Sequence, residues 1–142
     1  MTSTPPDNDP WISMQDGPDG DAVFIRALRT PPADSDRAHF PVLIVAAWPY
    51  EHDGVAGLPD KKTYDQMHQF QEAVFAALVE SGVGMEAASL LGRGVKEWRY
   101  YAANAETFLE VFNQALGALP EFPIEMQSYD DPDWDGLTEL LP

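Results

Sequence analysis

The chain has no cysteine. That removes disulfides, thiolate zinc sites and thiol nucleophiles together, and it is the usage expected of a reducing, cytoplasmic protein. Positive charge is scarce. Eight Lys and Arg stand against 24 Asp and Glu in 142 residues, for a net charge of -16, and no Lys or Arg follows Arg99. Nucleic-acid binders draw much of their affinity from Lys and Arg on phosphates, so that partner class is excluded. The acidic surface suits solubility or a basic protein partner. Long apolar runs are missing too. The longest, "FPVLIVAAW" (Phe40 to Trp48), is far too short to cross a bilayer, and the opening "MTSTPPDNDP" has neither the basic nor the apolar region of a signal peptide.

Catalytic signatures are also absent. There is no Gly-x-Ser-x-Gly elbow, and "ESGVG" around Ser81 suits a helix stop. "GRG" at 92 to 94 is too short for a dinucleotide fingerprint and suits a hairpin turn. His39, His52 and His68 show no ligand spacing, so no metal and no cofactor is expected from them. A pocket that set one of these histidines against a buried carboxylate would point to a small enzyme instead.

What is present describes one domain. Residues 1 to 10, rich in proline and aspartate, form an expected flexible tail, and the fold begins near Trp11. "WISMQ" and "AVFIRAL" flank "DGPDGD" and predict a β-hairpin over about 11 to 29. "TPPADSDRAH" is expected to be a loop. Phe40 to Trp48 follows as a strand without alternation, hence one covered on both faces. The spacing of Tyr64, Met67, Val74, Phe75 and Leu78 predicts a helix over 60 to 80, opened by a Thr63/Gln66 capping box and stopped at Gly82 and Gly84. "MEAASLLGRGVKEWRYYAAN" predicts two strands joined at Arg93 and Gly94, with Trp98 and Tyr100 on one face and Arg99 and Tyr101 on the other.

A second helix is expected from about Ala105 to Leu119, on the stripe Phe108, Leu109, Phe112, Ala115, Leu116 and Leu119, capped by Asn104. "PEFPIEMQS" closes the order βββαββαβ as a last strand, with Pro123 hinting at an edge. The expected fold is therefore α+β: a ferredoxin-like two-layer sandwich, with two helices on one face of a mainly antiparallel sheet and an extra N-terminal hairpin.

The ending "YDDPDWDG" carries Asp131, Asp133, Asp135 and Gly136 at the spacing that opens a calcium loop. The twelfth position, where that loop needs a bidentate glutamate, is Pro142. The segment is expected instead to close the fold by inserting Trp134, with its aspartates in water. Candidate partner contacts are the aromatic residues Trp48, Tyr50, Tyr101 and Tyr129 and the carboxylates Asp131 and Asp133, because Trp and Tyr dominate interface hot spots.

The segments "VAAWPYEHDGVAGLPD", "MHQFQEAV", "GRGVKEWRYYAANAETFLEVFNQAL", "FPIEMQS" and "DDPDW" occur in an order that resembles the bacterial domain of unknown function 695 family, from about Trp11 onward. The resemblance implies a fold similar to regulator of ribonuclease activity B, an acidic inhibitor that binds a ribonuclease, and it carries no catalytic residues across. Three functional readings stand together: a non-enzymatic protein-binding or regulatory module with a basic partner, a small enzyme with a histidine and carboxylate site, and a structural protein that homodimerises through a sheet edge.

Overall fold

The computed structural model describes residues 10–18, 22–51 and 58–142. The expected tail over residues 1–9, the centre of the first turn and His52 lie outside them. The hairpin expected at the start consists of β1 (Trp11–Asp16) and β2 (Val23–Leu28), antiparallel from Trp11 opposite Leu28 to Asp16 opposite Val23. Next come α1 (Asp34–His39), β3 (Val42–Pro49), α2 (Lys61–Ser81), β4 (Gly84–Gly92) and β5 (Val95–Ala102). The order closes with α3 (Ala105–Leu116), β6 (Glu125–Asp130) and α4 (Asp135–Thr138). The molecule is α+β, with one six-stranded sheet in the order β1-β2-β4-β5-β3-β6, and every neighbouring pair is antiparallel. Among the described residues no helix is long and apolar enough to cross a membrane.

The unbroken apolar run of β3 is explained by its place between β5 and β6. Ile44, Ala46 and Trp48 point to one face, where α2 and α3 cover them together with Trp98 and Tyr100 of β5. Leu43 points to the far face, beside Tyr101, Ala27 and Ala87. The alternation expected in β5 is therefore borne out. The tight β4–β5 turn needs left-handed backbone at both of its residues, and Arg93 (φ 55°) and Gly94 (φ 87°) supply it.

Helix α2 runs close to its expected bounds, with a different cap and a stripe that keeps Met67, Val74 and Leu78 of the expected set. Its cap is Asp60, whose Oδ1 accepts from Thr63 N at 2.8 Å, in place of a Thr63/Gln66 box. Its core stripe is Met67, Phe70, Val74 and Leu78, whereas Tyr64 (55% exposed) and Phe75 (49%) lean outward. Gly82 ends the helix in left-handed geometry. Helix α3 carries the expected Asn104 cap and stops at Leu116, short of Leu119. Strand β6 starts only at Glu125; Phe122 and Ile124 precede it and still pack inward.

Two short helices were not expected. α1 forms within the expected loop "TPPADSDRAH", and α4 follows Trp134. Trp134 is fully buried on the far face, stacked on Tyr101 at 3.9 Å with 6° between the rings, and its Nε1 donates to Phe40 O at 2.9 Å. The fold-closing role is borne out. The expectation that all the neighbouring aspartates face water needs correction: Asp133 and Asp135 do, but Asp131 is buried. Its carboxylate accepts from Tyr101 OH at 2.5 Å and from the backbone N–H groups of Asp135 and Gly136, both at 2.9 Å. Gly136 is required here, since a Cβ would lie 2.8 Å from Leu43 Cδ2 and 2.9 Å from the Tyr101 hydroxyl.

Candidate functional site

The N-terminal hairpin adds β1 and β2 beyond β4, past the reach of α2. That extension leaves a cleft between the helix and the sheet. Cross-strand register fixes its floor: Arg26 of β2 lies opposite Ser89 of β4, and Leu91 of β4 lies opposite Lys96 of β5. A bulge between Glu86 and Ala88 resets the alternation of β4, so that Ala87 and Ala88 both join the far-face core while Glu86 and Ser89 both face the cleft side. The wall comes from α2, and its outward-leaning Tyr64 and Phe75 find their explanation as the two ends of that wall.

The cleft has two lobes that share Arg26, His68 and Gln71. The inner lobe, of about 500 Å³, is lined by Ser13, Ser89 and Lys96 among apolar side chains of β2, α2 and β4. The outer lobe, of about 450 Å³, adds Trp11, Glu72, Phe75 and Glu86. Both volumes fall in the range of small-molecule sites.

The charges in the cleft are held at a cost. Glu86 is only 8% exposed, and burial pushes its carboxyl above the ordinary range, with Arg26 and Lys96 partly offsetting the shift. Burial likewise pushes the Lys96 ammonium down, opposed by Glu86 and reinforced by Arg26. The Arg26 guanidinium lies 4.1 Å from the centre of the Trp11 ring, and the Lys96 ammonium 5.4 Å from that of Trp98. Trp98 Nε1 donates to Gln71 Oε1 at 2.9 Å, which fixes the side chain shared by both lobes. Beneath the cleft, Tyr100 lies opposite Glu86, and its hydroxyl is buried without a hydrogen-bond partner among the described residues. Burial, with the charge of Glu86, drives that phenol far above its ordinary pKa. At the rim, His68 Nε2 approaches Glu72 Oε1 at 3.2 Å.

The residues singled out from sequence lie elsewhere. Trp48, Tyr101 and Asp131 are buried, the first in the helix-face core and the other two under α4, so they offer no surface to a partner. Tyr50 is half-buried at the margin of the helix-face core. Tyr129, on edge strand β6, and Asp133, before α4, are exposed, and neither lines the cleft. Sequence reasoning missed Arg26, Glu86 and Lys96. The available signal was a lone charge inside each of two apolar strands, Arg26 in β2 and Glu86 in β4, and only register shows that Lys96 of β5 meets them.

A family model described as a family of unknown function, DUF695, matches residues 11–141. No curated protein and no solved structure matches the chain. With the match running from the first strand to the segment beyond α4, the chain belongs to the DUF695 family.

Proposed function

We propose that the protein is a non-enzymatic binding or regulatory module whose recognition site is the cleft between α2 and the N-terminal hairpin. The observation that carries this reading is the charge placed there. A core would be more stable without Glu86 and Lys96, since each is shifted against its charged form by burial, and such groups in a cleft mark functional sites. The net charge of -16, with Glu72 and Glu86 lining the outer lobe of the cleft, supports a basic protein partner there, and the lack of cysteine supports a cytoplasmic setting. For the fold, we infer the ferredoxin-like arrangement with an appended hairpin. Its support is the spatial order β6-β3-β5-β4 for the strand-helix-strand-strand-helix-strand unit. The likeness to regulator of ribonuclease activity B rests on that arrangement, not on shared site residues.

A second reading has an observation of its own: the outer lobe holds His68 and the buried Glu86 together, the pairing that would suit a small enzyme. One experiment separates the two. Immobilised protein is exposed to native lysate at low and high salt, as wild type and as His68→Trp, which fills the part common to both lobes. A basic partner captured at low salt, released at high salt and lost in the variant supports the module. Capture indifferent to the variant moves recognition off the cleft. Turnover of a metabolite by wild type, absent from the variant, puts the enzyme first.

A further inference from the structure

In a chain with 24 acidic residues against eight Lys and Arg, the inner lobe is lined by no Asp or Glu among the described residues. Its charged side chains are Arg26 and Lys96, with His68 as a third nitrogen base at the mouth. Glu86 and Glu72 line only the outer lobe. Four apolar side chains, Phe24, Tyr64, Met67 and Leu91, complete the inner lobe with Ser13, Ser89 and Gln71, while Met14 and Ile25 meet it from strands whose side chains at those positions pack on the far face. We propose that this lobe binds a small organic carboxylate: the acid group lies between Arg26 and Lys96, and an aliphatic or aromatic body lies against the apolar wall.

Geometry carries the assignment. Arg26 and Lys96 stand on strands either side of β4, each one step from it in register with Ser89 and Leu91, so their charges converge over one patch of floor. Neither forms an ion pair within 4.0 Å with Glu86 among the described contacts. The planar Arg26 fork suits a carboxylate, and Lys96 adds a point charge. Phosphate sites are commonly built from backbone N–H groups at a helix start or a glycine loop. The lining here comes from strands and from the body of α2, so a carboxylate fits better than a phosphate. A bound anion would also add to the partial offset that Glu86 gives the buried Lys96 ammonium against its burial and the nearby Arg26 charge.

The proposal rests on the cleft being the recognition site, and the test keeps the two apart. The intact protein is titrated with phenylacetate, with its neutral counterpart phenylacetamide, and with inorganic phosphate, by calorimetry and by backbone amide chemical shifts. The expected result is phenylacetate binding that moves the amides of Arg26, Ser89 and Lys96, with phenylacetamide failing to bind. Arg26→Gln and Lys96→Met each weaken it roughly tenfold or more without lowering the melting temperature. Equal binding of acid and amide at these amides overturns the anion assignment and leaves the cleft reading standing. Phosphate binding as tightly as phenylacetate overturns the carboxylate with an apolar body. No shift at these amides with any probe overturns the carboxylate proposal, and the cleft reading then stands or falls on the capture experiment with His68→Trp.

Discussion

Replacing Trp134 with Ala tests how the far face of the sheet is held. The indole is fully buried and stacked on Tyr101 at 3.9 Å, and it donates to Phe40 O at 2.9 Å. Burying roughly 200 Å² of a tryptophan contributes about 5 kcal/mol at 25 cal/mol per Å², an upper bound because the unfolded chain already covers some of that area. Removing the stack and leaving Phe40 O unpaired work in the same direction, while partial collapse of the site works against them. Measured costs of such truncations run about 3 to 5 kcal/mol, and a loss of about 4 is expected here. For a domain of this size that lowers the melting temperature by roughly 12 °C.

Two further variants sharpen the test. Trp134→Phe keeps a ring on Tyr101 and loses the donor and part of the buried area, at a cost of about 2 kcal/mol. Trp134→Gly recovers roughly 1 kcal/mol relative to Ala, because residue 134 has φ 60° and a left-handed backbone favours glycine. The assay is urea unfolding followed by far-UV circular dichroism, with calorimetry for the melting temperature. Asp133→Asn, at an exposed position, is the control and should change stability by less than about 0.5 kcal/mol. An Ala variant within about 1 kcal/mol of wild type, or a control that matches it, would refute the closing role of Trp134.

Other predictions concern buried polar groups. Asp131→Ala orphans the Tyr101 hydroxyl and two backbone N–H groups at once, so urea unfolding should report a loss of about 3 kcal/mol, with Asp131→Asn milder. Glu86 has a folded-state pKa above its unfolded value, so the folded state holds more protons between the two. Stability therefore falls as pH rises from the ordinary glutamate range through the raised pKa. Glu86→Gln should remove that descent and raise the melting temperature at neutral pH while leaving it unchanged in acid. In an alkaline titration followed by phenolate absorbance, Tyr100 and Tyr101 should ionise only as the fold is lost. Burial holds both phenols far up, and the hydrogen bond to Asp131 holds Tyr101 further.

Much of the fold was legible because its signals are local. The two-residue turn at Arg93 and Gly94, the Asn104 cap and the buried run of β3 each follow from a few neighbouring residues. In the stripe of α2, Met67, Val74 and Leu78 are borne out, whereas Tyr64 and Phe75 satisfy helical spacing as well as the buried Phe70 does. What separates them is how far the hairpin extends past the helix, a property of the whole sheet. Asp131 looked solvated for a similar reason: its three donors come from Tyr101, thirty residues earlier in the chain, and from a helix too short to leave a periodic pattern. The cleft was illegible because the register between β2, β4 and β5, with its bulge, decides which charges meet, and composition carries no register.

The bond from Trp134 to Phe40 spans 94 positions. A ribosome adds roughly 5 to 20 residues per second, so Phe40 and Leu43 wait about 5 to 20 s in the nascent chain before their cover has been synthesised. Through that interval the far face of β3 is an uncapped apolar surface beside unpaired strand edges. Chaperone engagement should therefore concentrate on nascent chains halted before residue 134 and fall away once Leu137 has emerged.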